Sequence, residues 1–214
     1  MDNEISLVSD DEMPFDNREE AGMQLAAEIK HKKIKADFVI ALPRGGVPVG
    51  NVIAKELNIP LRLCFVRKIG HPANEEYAIG AASEHDELIS DKEQVSEKYV
   101  QEKISAAKSR IDEMKKKFGH EYKPTELKHK VVVLVDDGVA TGACLKLAAK
   151  EMRSVGVEQI IIATPVCPSN TVQAMREISD HFICILQPIH FIGIGGYYKD
   201  FKQLNDNAVE RMLS

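Results

Sequence analysis

Two adjacent carboxylates, Asp136 and Asp137, stand between an apolar run and a run of small residues in 131–147, VVVLVDDGVATGACLKL. That order has chemical content. The unbroken apolar run Val131–Val135 reads as a strand buried on both faces, so the acids fall at its carboxyl end, where open α/β sheets bind ligands. Gly138, Val139, Ala140, Thr141, Gly142, Ala143 and Cys144 then lead into the helical spacing of Leu145, Ala148, Ala149 and Met152. Backbone N–H groups at such a helix start face an anion. Carboxylates that accept from hydroxyls, beside amides that hold a phosphate, point to a sugar phosphate. Taken alone, the same pattern also fits a plain strand, turn and helix with an Asp as cap.

A second stretch repeats the arrangement. Residues 36–42 (ADFVIAL) read as a core strand, followed by Pro43, Arg44, Gly45 and Gly46 and by the apolar helical pattern of Val47, Gly50, Ile53, Ala54 and Leu57. The glycines let backbone approach a ligand, and Arg44 offers a planar fork of donors to phosphate oxygens. Residues 61–66 read as another strand with Arg67 and Lys68 at its carboxyl end. Residues 69–83 contain Gly70, Pro72, Asn74 and Gly80 without a period, so they read as a long mobile loop leading into a short strand; Glu75 and Glu76 sit in it. Loops of this kind close over sites.

The remaining chain supplies scaffold. Asp16 with Glu19 has capping-box spacing ahead of a first helix that ends near His31, and the basic run of Lys30, Lys32, Lys33 and Lys35 complements its C-terminus. Val100, Ile104, Ala107, Ile111, Met114 and Phe118 form one stripe on a charged helix expected over 92–118. Residues 159–166 and 181–186 read as further strands, with Ser169 capping the helix between them. Strands alternating with helices predict an α/β fold: a twisted, mostly parallel sheet with helices on both faces. Residues 187–206 are unusually aromatic for a chain with 6% aromatics. Residues 1–15 read as a flexible acidic arm, leaving 16–214 as a single domain.

Composition excludes several classes. A net charge of −5 gives no footprint for nucleic acid. No apolar run approaches the ~20 residues of a membrane span. Cys64, Cys144, Cys167 and Cys184 form no CxxC pair and read as reduced thiols, which points to the cytoplasm. His71, His85, His120, His129, His181 and His190 lack metal-ligand spacing.

PRGG at 43–46 and VLVDDGVATGAC at 133–144 together resemble the pyrophosphate loop and the phosphoribosyl pyrophosphate signature of type I phosphoribosyltransferases. The resemblance implies a Rossmann-like core plus a small hood built mainly from 187–206, and often a homodimer. It implies that Asp136 and Asp137 hold the ribose 2′- and 3′-hydroxyls, and that Thr141 and the amides of 138–144 hold the 5′-phosphate. Arg44, Gly45, Gly46 and Lys68, with Arg67, would take the pyrophosphate. Mg2+ would be held mainly by the substrate near Asp136 and Asp137. A heterocyclic base would displace pyrophosphate at C1′, with Phe191, Tyr197 or Tyr198 stacking on it and Glu76 handling a proton. Two positions depart from the family pattern. Cys144 replaces a hydroxyl donor to the phosphate, and Ala140 stands where enzymes for 6-oxopurines carry an Asp. The alternative function is a non-catalytic nucleotide-sensing regulator on the same fold.

Overall fold

The computed structural model describes residues 14–90 and 95–214. In chain order its first elements are α1 (Arg18–His31), β1 (Phe38–Ala41), α2 (Gly46–Leu57), β2 (Leu61–Leu63), β3 (Arg67–His71), β4 (Asn74–Ala82), β5 (Glu87–Ile89) and α3 (Glu97–Phe118). There follow α4 (Pro124–Leu127), β6 (Val131–Val135), α5 (Ala143–Val155), β7 (Gln159–Val166), α6 (Ser169–Glu177), β8 (His181–Leu186), a 3-10 turn at Ile194–Tyr197 and α7 (Asp206–Leu213).

Five strands form a parallel sheet in the order β2-β1-β6-β7-β8. Successive side chains leave a strand on opposite faces, so each apolar run feeds two cores. Val39, Val133, Val135, Ile161 and Ala163 pack against Leu25, Ile29 and Ile53 of α1 and α2. Ile40, Val132, Leu134, Ile160 and Ile162 pack against Leu145, Ala148 and Met152 of α5. Each Val, Leu, Ile or Met side chain among them, fully buried, stabilises the fold by about 1.5–3 kcal/mol. The expected α/β architecture, with helices on both faces of a parallel sheet, is the one observed.

Three expectations need correction. β2 ends at Leu63, and Arg67 and Lys68 open β3 of a separate antiparallel sheet, β3-β4-β5. The expected loop over 69–83 is the β3–β4 hairpin. Its apolar residues are mainly alanines and Ile79, covered on one side by Val100, Ile104 and Ala107 of α3 and on the other by the core around Val66. Alanine and glycine carry little strand signal, so packing from both sides decides the conformation. Asn17, not Asp16, caps α1, its side-chain oxygen accepting from the Glu20 N–H at 2.9 Å. That places Arg18 in the first turn.

Smaller shifts follow the same logic. α3 begins at Glu97 with Ser96 as its cap, and Pro168 rather than Ser169 precedes α6. The stripe of α3 divides: Ile111, Met114 and Phe118 pack with Leu63, Phe65 and Val209 of α7, a helix that sequence reasoning had not separated from the tail. Of the expected flexible arm, residues 1–13 lie outside the described residues. Phe15, placed in that arm, is instead fully buried and pairs with Tyr198.

Candidate active site

The loops after β1 and β6 lie side by side because those strands are neighbours at the centre of the sheet. The Leu42 N–H donates to the Val135 carbonyl at 2.9 Å. A Cβ on Gly46 would sit 2.6 Å from that same oxygen, and one on Gly45 would meet the Asp137 carboxylate at 2.2–2.6 Å. Glycine is therefore the only residue that admits this approach, and the Asp137 carboxylate lies directly against Gly45. On the other loop Gly142 turns the chain into α5 with a left-handed φ of +76. The Val139 N–H donates to Val166 and its side chain joins the core, while Thr171 Oγ1 donates to the Ala140 carbonyl at 3.1 Å.

The acid pair is unequal. Arg18 Nε donates to Asp137 Oδ2 at 2.7 Å, with both side chains only about one-tenth exposed (9% and 11%). Asp136 Oδ1 accepts from the Asp137 N–H at 2.9 Å. Burial, then the neighbouring Asp137, push the Asp136 carboxyl well above the usual carboxylate range. Burial also raises Asp137, with the Arg18 charge and hydrogen bond opposing it.

Both acids open onto a cavity of about 510 Å³, whose walls also include Arg18, Arg44, Gly45, Arg67, Lys68, Cys144, Ile194, Phe201, Gln203 and Leu204. Four cations thus share one concavity with two carboxylates. Burial first, then Arg44 and Arg110, lower the Arg67 pKa from its ordinary value. Asp206, opening α7, holds Arg44 at 3.4 Å and Arg110 at 2.5 Å. Burial raises the Asp206 carboxyl, but the two arginines outweigh it and leave it below its usual value. Burial, then Asp136, push the Cys144 thiol up to about 12, so it lines the cavity as a protonated thiol.

The structure brings together Asp136, Asp137, Arg44, Gly45, Arg67, Lys68 and Cys144 as the sequence indicated. Gly138, Val139, Gly142 and Ala143 are buried, while Ala140 and Thr141 are half-buried. The aromatic expectation is corrected. Tyr198 is 2% exposed, and its hydroxyl donates to the Asp137 carbonyl at 2.6 Å. It is packed between Phe15 and Phe201, so no ligand ring can reach it. Phe191 and Tyr197 stack on each other at 5.9 Å, outside the cavity lining. Glu75 is paired with Lys103 at 2.7 Å, which holds its carboxyl below the usual range. Glu76 belongs to β4, and its side chain lies outside the described residues. Among the described residues no group of three or more His, Cys, Asp or Glu side chains is arranged to hold a metal ion. Likewise, no helix among them is long and apolar enough to cross a membrane.

Sequence reasoning missed Arg18, Phe201, Gln203 and Leu204. Arg18 meets its acid partner across 119 positions of chain, a separation that leaves no local signal.

Parallel strands ending at a cavity lined by cations and carboxylates, with an acid pair on one loop and an Arg-Gly-Gly turn on the other, define a phosphoribosyl transferase fold. The chain belongs to the phosphoribosyl transferase domain family, whose model matches residues 15–200. It is similar to a Mycobacterium tuberculosis protein provisionally named a phosphoribosyl transferase, found in strains H37Rv and CDC 1551. The two are 33% identical over 204 residues, covering 93% of this chain and 46% of the relative. This chain thus spans about half the length of the curated relatives it matches. Among solved structures, TT1426 from Thermus thermophilus superposes with a TM-score of 0.73 at 29% identity, over 93% of this chain and 97% of that one. APRTase from Giardia lamblia, complexed with 9-deazaadenine, shares the fold at a TM-score of 0.50 and 13% identity, over 81% and 80% of the two chains.

Proposed function

We propose that the protein transfers ribose 5-phosphate from phosphoribosyl pyrophosphate to a ring nitrogen of a heterocyclic base, with release of pyrophosphate. The observation that carries this reading is the single cavity that gathers Asp136 and Asp137 with Arg44, Arg67 and Lys68. The carboxylates accept from the ribose 2′- and 3′-hydroxyls. The turn into α5 meets the 5′-phosphate with backbone N–H groups, helped by the helix dipole. Arg44, Lys68 and Arg67 neutralise the pyrophosphate.

In the reaction the C1′–O bond to pyrophosphate breaks as the C1′–N bond forms, the bonding electrons leave with pyrophosphate, and the ring nitrogen's proton passes to the released pyrophosphate or to water. Positive charge develops on the sugar, and the two carboxylates at the cavity wall stabilise it. Asp136 and Asp137 fit the outer shell of a Mg2+ ion held mostly by the substrate's own oxygens, which would supply charge neutralisation at the leaving group.

The double variant Asp136→Asn, Asp137→Asn is expected to abolish Mg2+-dependent binding of phosphoribosyl pyrophosphate, measured by calorimetry. Unchanged binding would rule the reading out. Pyrophosphate release across a panel of bases separates an enzyme from a sensor, which would bind the same donor without turnover.

A further inference from the structure

The cavity has two kinds of wall. The strand-end loops and the start of β3 supply the acids and three cations, and the proposed donor uses all of these. The opposite wall is built from Arg18, Ile194, Phe201, Gln203 and Leu204, none of which is assigned a direct contact with the proposed donor, although Arg18 holds Asp137. With the donor's ribose on the acids and its pyrophosphate on the three cations, this is the wall left to face an acceptor.

Phe201 looks like the platform for a flat ring, but both its faces are taken. The Tyr198 ring stacks on it with centroids 4.9 Å apart and planes 29° apart. The Arg18 guanidinium carbon lies 3.7 Å from the Phe201 centroid. Two groups at those distances cannot share one face, so Phe201 is sandwiched. The surface this stack turns to the cavity is the guanidinium of Arg18.

That guanidinium is fixed from three directions. Nε donates to Asp137 Oδ2 at 2.7 Å, Nη1 donates to the Lys202 carbonyl at 3.1 Å, and Phe201 backs the plane. Nη2 has no hydrogen-bond partner among the described residues. A guanidinium has five N–H donors and no acceptor. Fixed in this way, it rewards a ligand that brings an oxygen lone pair and penalises one that brings another N–H, because facing donors leave both unpaired.

Resting on the phosphoribosyltransferase reading, we propose that Arg18 is the acceptor-specificity residue: clamped by Asp137, the Lys202 carbonyl and Phe201, it selects a planar heterocycle presenting a carbonyl or carboxylate oxygen over one presenting an amino group. Because the same side chain bonds Asp137, acceptor choice and donor site are joined through one residue.

The test begins with wild-type protein and Mg2+. Binding of phosphoribosyl pyrophosphate is measured by calorimetry, then turnover with matched heterocycles that differ only in an oxo or carboxylate group against an amino group at one ring position. The oxygen-bearing members are expected to be favoured about a hundredfold or more in kcat/KM. Arg18→Lys and Arg18→Gln keep a donor for Asp137 but lose the fixed plane. They are expected to lose at least tenfold of that preference, read as the ratio of kcat/KM between matched rings, in which any loss of donor binding through Asp137 cancels. Preference of the wild type for amino-bearing rings overturns the proposal, whatever the variants do. So does an unchanged rank order in the variants with weakened donor binding, which would make Arg18 a support for Asp137 only. Absence of donor binding by the wild type would instead remove the phosphoribosyltransferase reading, and this proposal with it.

Discussion

The two walls of the cavity are built by different routes. The donor wall comes from loops that follow adjacent central strands, β1 and β6, and from the start of β3. Each of its residues sits a few positions from a strand end. The opposite wall joins the first turn of α1 to residues 194–204, with Phe15 and Tyr198 paired beneath it. Arg18 reaches Asp137 across 119 positions and Lys202 across 184. Local strand and turn chemistry fixes the first wall, whereas long-range packing fixes the second. A fold can therefore hold its donor chemistry constant while the acceptor side varies.

The sharpest way to break this contrast is Gly45→Ala. A methyl group there meets the Asp137 carboxylate at 2.2 Å, so the carboxylate or the turn must shift. Overpacking of this kind costs about 1–3 kcal/mol. The expected outcome is a lower Tm together with a loss of about a hundredfold or more in donor affinity, read by thermal unfolding and calorimetry. Donor binding at the wild-type level would show that the two loops are not a steric unit.

Asp136→Asn tests the electrostatics of the donor wall. The Asn carbonyl can still accept from the Asp137 N–H, but the half-buried charge is gone. Because the folded-state pKa of Asp136 is raised, ionising it costs stability as pH climbs through that raised pKa. The variant is thus expected to be more stable than the wild type at neutral pH. The advantage should disappear below the ordinary carboxylate range near pH ~4, where the acid is protonated in both states. Each kcal/mol relieved should raise Tm by about 2–4 °C at this chain length. Melting curves over pH check it; a gain that persists unchanged in acid would refute the assignment. Donor affinity should fall in the same variant, separating stability from binding.

The smallest effect is expected from Cys144→Ser. The thiol is a weak donor, and its raised pKa keeps it protonated. A hydroxyl at that place would add one hydrogen bond of about 0.5–1.5 kcal/mol, or up to about tenfold in donor affinity. Acceptor KM should not move, and an equal effect on both substrates would blur the division between the walls.

How much of this was legible depended on where the information lies. The runs at 131–135, 159–166 and 181–186 coincide with β6, β7 and β8; the interior strands β6 and β7 are almost wholly apolar because both their faces are covered, and the edge strand β8 is still mostly apolar. The acid pair and the Arg-Gly-Gly turn were legible for a related reason: each follows such a run directly. The β3–β4 hairpin was not, because alanines and glycines fit its crowded interior without announcing a strand. Tyr198 misled for the opposite reason. An aromatic in a glycine-rich tail resembles a stacking platform, and only its packing against Phe15 and Phe201 reveals a core residue. Arg18 gave no sign at all, since nothing beside Asn17 and Glu19 indicates a partner more than a hundred residues away.

The contact between Gly45 and the Asp137 carboxylate also limits how the site can be rebuilt. The side chain at 137 occupies the volume that any side chain at 45 would need, so neither position can be exchanged for a larger one while the other stays. Grafting an acid loop from another protein into this chain would require its own matching turn at 43–46. The two segments, distant along the chain, form one steric part.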